Sequence, residues 1–395
     1  MNTTRQIVTV AAMNLRSVPQ RLAPAFVIVI GIAGVVGVLI AVLSLSRGLA
    51  HTLAMTGRPD RAIVVHTDAI AEVASVLTRE AVLKVMDAPG VARDPDGKAI
   101  ASAEMLATVR LPRKNTRALG ALTVRGVSQS AFALRPEMRL VEGRLPVSGL
   151  NELLAGRAAQ ARFGNLEVGA RIRVNNTEWA VVGAFTSDGD AHEAELLADA
   201  EAMLSAYRRT TFNSVTVQLT DASAFTAFNR AVTSDPTLTV TASPESTYYQ
   251  RHSQAFSRVL AMIANVVGTI MAIGAVFAAL NSMYAVVSAR TLEIATLRAI
   301  GFGASAVVVS VIVEALVLAL IGALAGAALA WLFFNGHTVS TVGGAGIPNV
   351  IFHLRIGGGL VIVGIVWACL VGLIGGLLPA IRAARVPVAT ALRAV

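Results

Sequence analysis

A single cysteine, Cys369, stands in 395 residues, which rules out an intramolecular disulfide. Any domain in the chain must therefore hold itself together by burying an apolar core. Charge is also scarce: 14% of residues are charged, against about 25% in an ordinary soluble protein. Aromatic residues are only 5%, and no basic stripe interleaved with aromatics accompanies the net charge of +9. That absence argues against a nucleic-acid partner. Catalytic signatures are missing too: no GxSxG, HExxH or GxxxxGK[ST] occurs, so the chain by itself is expected to hydrolyse nothing.

The charge deficit is concentrated. Twenty-five uncharged residues separate Arg21 from Arg47, 31 separate Arg258 from Arg290, and 26 separate Arg355 from Arg382. Between Ala299 and Leu354 the one formal charge is Glu314. Crossing roughly 30 Å of hydrocarbon takes about 20 apolar residues as helix. The chain therefore reads as an α-helical membrane protein with four transmembrane helices plus a large α+β extracytoplasmic domain. The first window is too long for the h-region of a secretory signal, and no small-x-small cleavage site follows it.

Basic residues orient these spans. Residues 47–258 hold 24 basic and 22 acidic residues, whereas the rest of the chain holds nine against two. Eight of those nine lie in three short stretches: Arg5, Arg16 and Arg21; Arg290 and Arg298; Arg382, Arg385 and Arg393. Positive charge in short flanking segments marks the cytoplasmic side. The expected organisation is a cytoplasmic N-terminus over 1–23 and a first span over 24–46, then an outside domain over 47–250. A stalk and second span follow over 251–288, a cytoplasmic loop over 289–305 and a third span over 306–334. A short external loop over 335–356, a fourth span over 357–380 and a cytoplasmic C-terminus over 381–395 complete it. The second window is longer than a bilayer needs, about 46 Å as helix. With no Pro or Gly in "STYYQRHSQAFSRVL" upstream, it predicts a helix standing proud of the membrane.

In the outside segment, residues 61–66, 170–174, 178–185 and 214–220 read as strands rich in β-branched residues. A hairpin turns at Asn175 and Asn176. Helical patterns cover 70–87, 151–163 and 193–208, and Asp221 caps a segment carrying Phe225 and Phe228. Asp188, Asp190, His192, Glu193 and Glu195 have metal-ligand types, but their spacing reads as a solvated turn before an acidic helix N-terminus. "DPDGKA" lacks the later ligands of a calcium loop and reads as a turn.

Small residues four apart mark three spans: Ala33, Gly37 and Ala41; Gly322, Gly326 and Ala330; Ala368, Gly372, Gly376 and Ala380. Such ridges let helix backbones approach closely. Glu314, inside a span, requires a partner, a proton or water; pairing near the inner interface is the expectation, and a proton site the alternative. Between spans, "SARTLEIATLRAIGFG" places Arg290, Ile294, Leu297 and Arg298 on one side of a short helix. Leu292, Ala295 and Ala299 fall opposite. Apolar residues on both sides suit a protein groove better than a lipid surface, with the arginines offered to carboxylates of a partner.

This stretch, Glu314 with "ALVL", Gly322 to Gly326, and the ending "PAIRAARVPVATALR" resemble the FtsX-like, MacB-type permeases. "EGR" at 142–144 and "LEVGARIRV" through Trp179 to Gly183 are similar to that family's outside domain. The resemblance implies a type VII ABC permease without a fused ATPase, one span preceding the outside domain and three following. It implies pairing with a second permease copy or paralogue, each seated on a cytoplasmic ABC ATPase that binds ATP and Mg, with no cofactor in this chain. Arg290, Glu293, Ile294, Leu297, Arg298 and Gly301 would form the ATPase-coupling segment. ATP-driven closure would move the second-span stalk and the outside domain, a mechanism called mechanotransmission. Export or extrusion of an envelope substrate, with a periplasmic adaptor and outer-membrane channel, is the expected function. Lipoprotein release and regulation of a cell-wall hydrolase are the alternatives.

Overall fold

A computed structural model describes residues 3–17, 22–114, 116, 118–340 and 350–385. The expected chain ending from 386 onward and Arg21 lie outside the described residues. The chain divides into two units, one of residues 1–47, 258–337 and 354–395, the other of 48–257 and 338–353.

The first unit is helical. It holds α1 (Thr3–Ser17) and most of α2 (Leu22–Thr56). Among the described residues, four helices are long and apolar enough to cross a membrane, over Ala23–Thr56, Arg258–Ala289, Ala304–Phe334 and Gly358–Ala384. The first two run furthest past their expected limits, because nothing in their sequence stops them. The first continues ten residues beyond 46, as far as Thr56. The second belongs to an unbroken 45-residue helix, Glu245–Ala289, that starts in the other unit. The small-residue ridges meet inside the helical unit. A Cβ built on Gly326 would lie 2.4 Å from the Ala33 carbonyl oxygen, and one on Gly322 2.9 Å from that of Val29. Gly37 faces the Gly326 carbonyl at 3.5 Å. The ridge of the last helix meets a different face of Ala304–Phe334: Cβ atoms on Gly372 and Gly376 would sit 2.7 Å from the Ala319 and Ala315 methyls. The 304–334 helix is thus gripped on two sides by backbone-close contacts that only hydrogen side chains permit.

The second unit is built on β1 (Arg61–His66), β2 (Ala101–Pro112), β3 (Leu119–Val127), β4 (Arg139–Gly143), β5 (Glu152–Gly156), β6 (Arg171–Val174), β7 (Thr177–Thr186), β8 (Leu196–Asp199), β9 (Ser214–Gln218) and β10 (Val240–Pro244). These form one mixed sheet in the order β10-β1-β9-β2-β3-β8-β5-β7-β4, with β6 beside β7. Its helices are α3 (Arg79–Met86), α4 (Ala131–Leu134), α5 (Arg157–Arg162), α6 (Ala200–Tyr207) and α7 (Phe225–Ser234). The remaining helices of the chain are α8 (Glu245–Ala289), α9 (Thr291–Ala299), α10 (Ala304–Phe334) and α11 (Gly358–Ala384).

Three helical expectations are corrected. Within 70–87 only a short 3-10 turn (Glu72–Ala74) and α3 form, because Thr78 caps a new helix by accepting from the Ala81 amide. Residues 151–163 split into β5 and α5, and 193–208 into β8 and α6. Both strands are buried along their whole length in the sheet interior, so they carry continuous apolar runs without alternation. The hairpin does turn at Asn175 and Asn176, with φ of 43° and 64°. Between the last two long helices, β11 (Thr338–Ser340) pairs antiparallel with β12 (Ile351–His353), a pairing the sequence does not announce. Ile351 joins the apolar core of the sheet unit, which also contains Trp179, Phe163 and Phe228.

Candidate functional sites

In the helical unit, α9 begins one residue after α8, with Arg290 as its N-cap. Arg290 does not face outward as the helical wheel suggests. It is 8% exposed, and its guanidinium lies 3.5 Å from Glu314 and 3.0 Å from Glu293. Glu314, inside the 304–334 helix, thus lies beside a cation from the residue that precedes α9. Ile294 is buried, and Leu297 and Arg298 are half-buried, with Arg298 Nη1 donating to the Ala384 carbonyl at 2.9 Å. Gly301 takes φ of 100°, a conformation that favours glycine, where the chain turns toward α10. The outward side of α9 carries Leu292, Glu293, Thr296 and, just beyond its end, Ile300; Leu292 is 47% and Ile300 68% exposed. Burial therefore divides the expected coupling set: Arg290 and Ile294 hold the segment in place, while Glu293 stays on the open side. Leu292, Thr296 and Ile300 join it there, residues that the wheel alone could not select.

The second site lies in the sheet unit, at residues that no sequence motif singles out. Arg125 on β3 is buried among three carboxylates: Glu195 at 2.7 Å, Glu72 at 2.7 Å and Glu104 at 2.6 Å. Arg135 takes the other oxygen of Glu104 at 2.6 Å and approaches Glu245 at 3.6 Å. Arg61 on β1, also fully buried, lies 3.1 Å from Glu245. Glu245 is the first residue of α8, and Tyr248 and Tyr249 in the same turn are part of this cluster. The Tyr248 hydroxyl accepts from the Glu72 amide at 3.0 Å, and Tyr249 packs edge-on to His192 at 6.1 Å. The base of α8 is thus tied directly to Arg61 on β1, and through Arg135 and Glu72 to Glu104 on β2 and Arg125 on β3, in a buried network. The available signal was a lone charge inside an apolar strand run, as with Glu104 in "ASAEMLATV" and Arg125 in "LTVRGV".

The 187–195 segment is the clearest correction. Instead of a solvated turn it is buried: Ser187, Asp190, His192 and Glu195 are each 4% exposed or less, and only Asp188 faces water substantially among these residues and Glu193. Pairing makes this tolerable. Glu195 accepts from Arg125 and lies 3.1 Å from His192 Nδ1, and Asp190 Oδ1 accepts from the His192 and Glu193 amides. The Ala191 amide donates to Thr56 Oγ1 at 2.9 Å, so the last residue of α2 is fastened to the same segment. Among the described residues, no cluster of His, Cys, Asp and Glu is arranged to hold a metal ion.

Titration of these groups runs in opposite directions. Burial alone would raise Glu104, but the Arg135 and Arg125 guanidinium groups overrule it and hold the carboxyl down at about 2. Its stabilisation is present above the ordinary carboxylate range and is lost as pH falls through about 2. Burial pushes Asp190 up to about 6, only partly offset by His192 and by hydrogen bonds. Its contribution is complete below 3.8 and is lost as pH rises through about 6. Asp190→Asn keeps the Oδ1 acceptor and removes this loss. It is expected to stabilise the chain by about 1–3 kcal/mol more at pH 8 than at pH 4. Denaturation in detergent at the two pH values checks this; equal effects at both would refute it.

Comparison with known proteins agrees with both units. The model of the MacB-like periplasmic core domain matches residues 25–235, and that of the FtsX-like permease C-terminal region matches 265–388. A search of curated proteins finds no match. Among solved structures, the periplasmic region of MacB from Actinobacillus actinomycetemcomitans is similar at 12% identity and a TM-score of 0.38. That match covers 51% of this chain and 96% of the other. The extracellular domain of the noncanonic ABC-type transporter YknZ from Gram-positive bacteria is similar at 13% identity and a TM-score of 0.34, covering 44% and 91%. With four apolar helices, a mixed α/β domain and family models matching both halves, this chain belongs to the FtsX-like, MacB-type ABC transporter permease family.

Proposed function

We propose that this chain is the membrane subunit through which a cytoplasmic ABC ATPase, binding ATP and Mg, moves an extracytoplasmic domain to export or extrude an envelope substrate. Both termini and α9 would lie in the cytoplasm of a bacterial inner membrane, the side that the clustered arginines favour. A second permease copy or paralogue would complete the assembly, and a periplasmic adaptor with an outer-membrane channel would receive the substrate. The observation that carries this reading is the continuity of α8. Its 45 residues would extend about 68 Å as straight helix, more than twice the hydrocarbon thickness. One end enters the buried ion network through Glu245, and the other passes through Arg290 directly into α9. A helix fixed at both ends transmits displacement, whereas a flexible linker would absorb it.

The ATPase would dock on the open side of α9, through Leu292, Glu293, Thr296 and Ile300. Leu292→Asp combined with Ile300→Asp is expected to reduce co-purification of the ATPase at least about tenfold, as loss of apolar anchors at an interface does. The thermal midpoint of the chain should be unchanged, because both side chains are exposed. Full retention of the ATPase by this variant would exclude α9 as the docking element.

A further inference from the structure

The N-terminal helix α1 offers more to the structure than a cytoplasmic lead-in. Gln6, Val10 and Asn14 are spaced four residues apart, so they share one helix face. That face turns inward: Val10 is 2% exposed and Asn14 5%. Asn14 Nδ2 donates to Ser310 Oγ on α10 at 2.9 Å, while Asn14 Oδ1 accepts from Arg290 Nη2. The direction of this amide is dictated by chemistry, since a guanidinium has only donors to offer and must meet the amide oxygen. Two turns earlier along α1, Gln6 Oε1 accepts from the Gly303 amide at 3.3 Å. Arg290 is the N-cap of α9, and Gly303 is the N-cap of α10. One face of α1 therefore holds the 290–303 segment at both of its ends. A cavity of about 20 Å³ beside Asn14, Arg290 and Glu314 has room for roughly one water. The polar groups at this joint are thus tightly enclosed, and a missing partner there is costly.

We propose that α1 is a clamp on the coupling segment. Gln6 and Asn14 fix the two ends of α9 relative to α10, so displacement at α9 moves α1, α9 and α10 as one body instead of tilting α9 alone. Gln6 and Asn14 are positioning residues in this scheme, because they act through Arg290 and Gly303 and not by touching a partner. The transmission role rests on the proposed ATPase coupling; the clamp itself does not.

The test is arranged to separate the two. Hydrogen exchange is measured on the full chain in detergent without any ATPase. In the Gln6→Ala, Asn14→Ala double variant, amides within Thr291–Ala299 are expected to exchange about tenfold faster, as for a segment released to local opening. Amides of α11 should keep their protection, which shows that the bundle is intact. Unchanged protection of α9 would overturn the clamp. If the double variant loses protection throughout, Asn14→Asp and Ser310→Ala decide the matter. Asn14→Asp retains the acceptor for Arg290 and should leave the start of α9 protected; loss of protection there equal to that in Asn14→Ala would also overturn the proposal. Ser310→Ala should add nothing to Asn14→Ala, and additive effects of the two would count against a shared bridge. With the ATPase present, the double variant should bind it normally yet stimulate its turnover about tenfold less. Normal binding with full stimulation would refute transmission through the clamp. Absence of ATPase binding by the unmodified chain would refute the coupling reading and leave the exchange result standing.

Discussion

Arg125→Met is expected to unfold the sheet unit, or to destabilise it by about 3–5 kcal/mol, the usual cost of removing one partner from a buried ion pair. Methionine fills much of the arginine volume, so a cavity is not the cause. The cause is what remains: Glu72, Glu104 and Glu195 lie within 2.7 Å of the guanidinium, each at most 9% exposed at the side chain. Removing the cation leaves three buried carboxylates with mutual repulsion, and at neutral pH they must either take up protons or reach water. A second consequence distinguishes this account from simple loss of packing. The unmodified chain should be most stable near neutrality with respect to Glu104, whereas the variant should recover part of its loss as pH falls and the carboxyls neutralise. Chemical denaturation of the full chain in detergent at pH 7.5 and pH 5 measures both effects. An Arg125→Met loss under 1 kcal/mol at either pH would show that the network is not what holds the base of α8.

Gly326→Ala is the second large effect. The added methyl carbon would lie 2.4 Å from the Ala33 carbonyl oxygen and 3.0 Å from its Cα, both backbone atoms that cannot rotate aside. The chain must separate α2 from α10, at a cost of about 1–3 kcal/mol for overpacking and with loss of neighbouring contacts. Gly274→Ala is the control, since a Cβ there meets nothing within 4 Å. It should be neutral or slightly stabilising, because alanine restricts the unfolded backbone more than glycine does. Thermal unfolding of the two variants in the same detergent decides the matter; equal midpoints would show that the α2–α10 approach is looser than its geometry.

How far these features are legible in the chain depends on how local their physics is. Hydrocarbon solvation is summed residue by residue, so three uncharged windows and a fourth with Glu314 as its one charge announce four spans. The long second window with no helix breaker upstream likewise announces α8. Asn175 and Asn176 state their turn in their own residue types. By contrast, "ELLAG" and "LLAD" pass for helix in the sequence because a strand buried on both faces has no alternation to distinguish it. On α9, helical periodicity grouped Arg290 with Ile294 correctly, yet which side meets protein and which stays open depends on α1 and α10. The "SDGDAHEAE" stretch fails for the same reason on a larger scale. Its charges belong in water unless partners arrive, and its principal partner, Arg125, is 70 residues away.

From its sequence alone, the chain is a four-span membrane protein with a large α+β domain after the first span and a short basic-flanked helix between the second and third spans. Those properties follow from local composition, since the cost of placing each residue in lipid is paid independently of fold. Only the tertiary structure decided that Arg290 and Glu314 face each other, that Gly326 lies against Ala33, and that the foot of α8 is embedded among buried ions. Such pairings depend on residues brought together from distant positions, and a buried charge or a bare glycine acquires its meaning from the atoms that surround it.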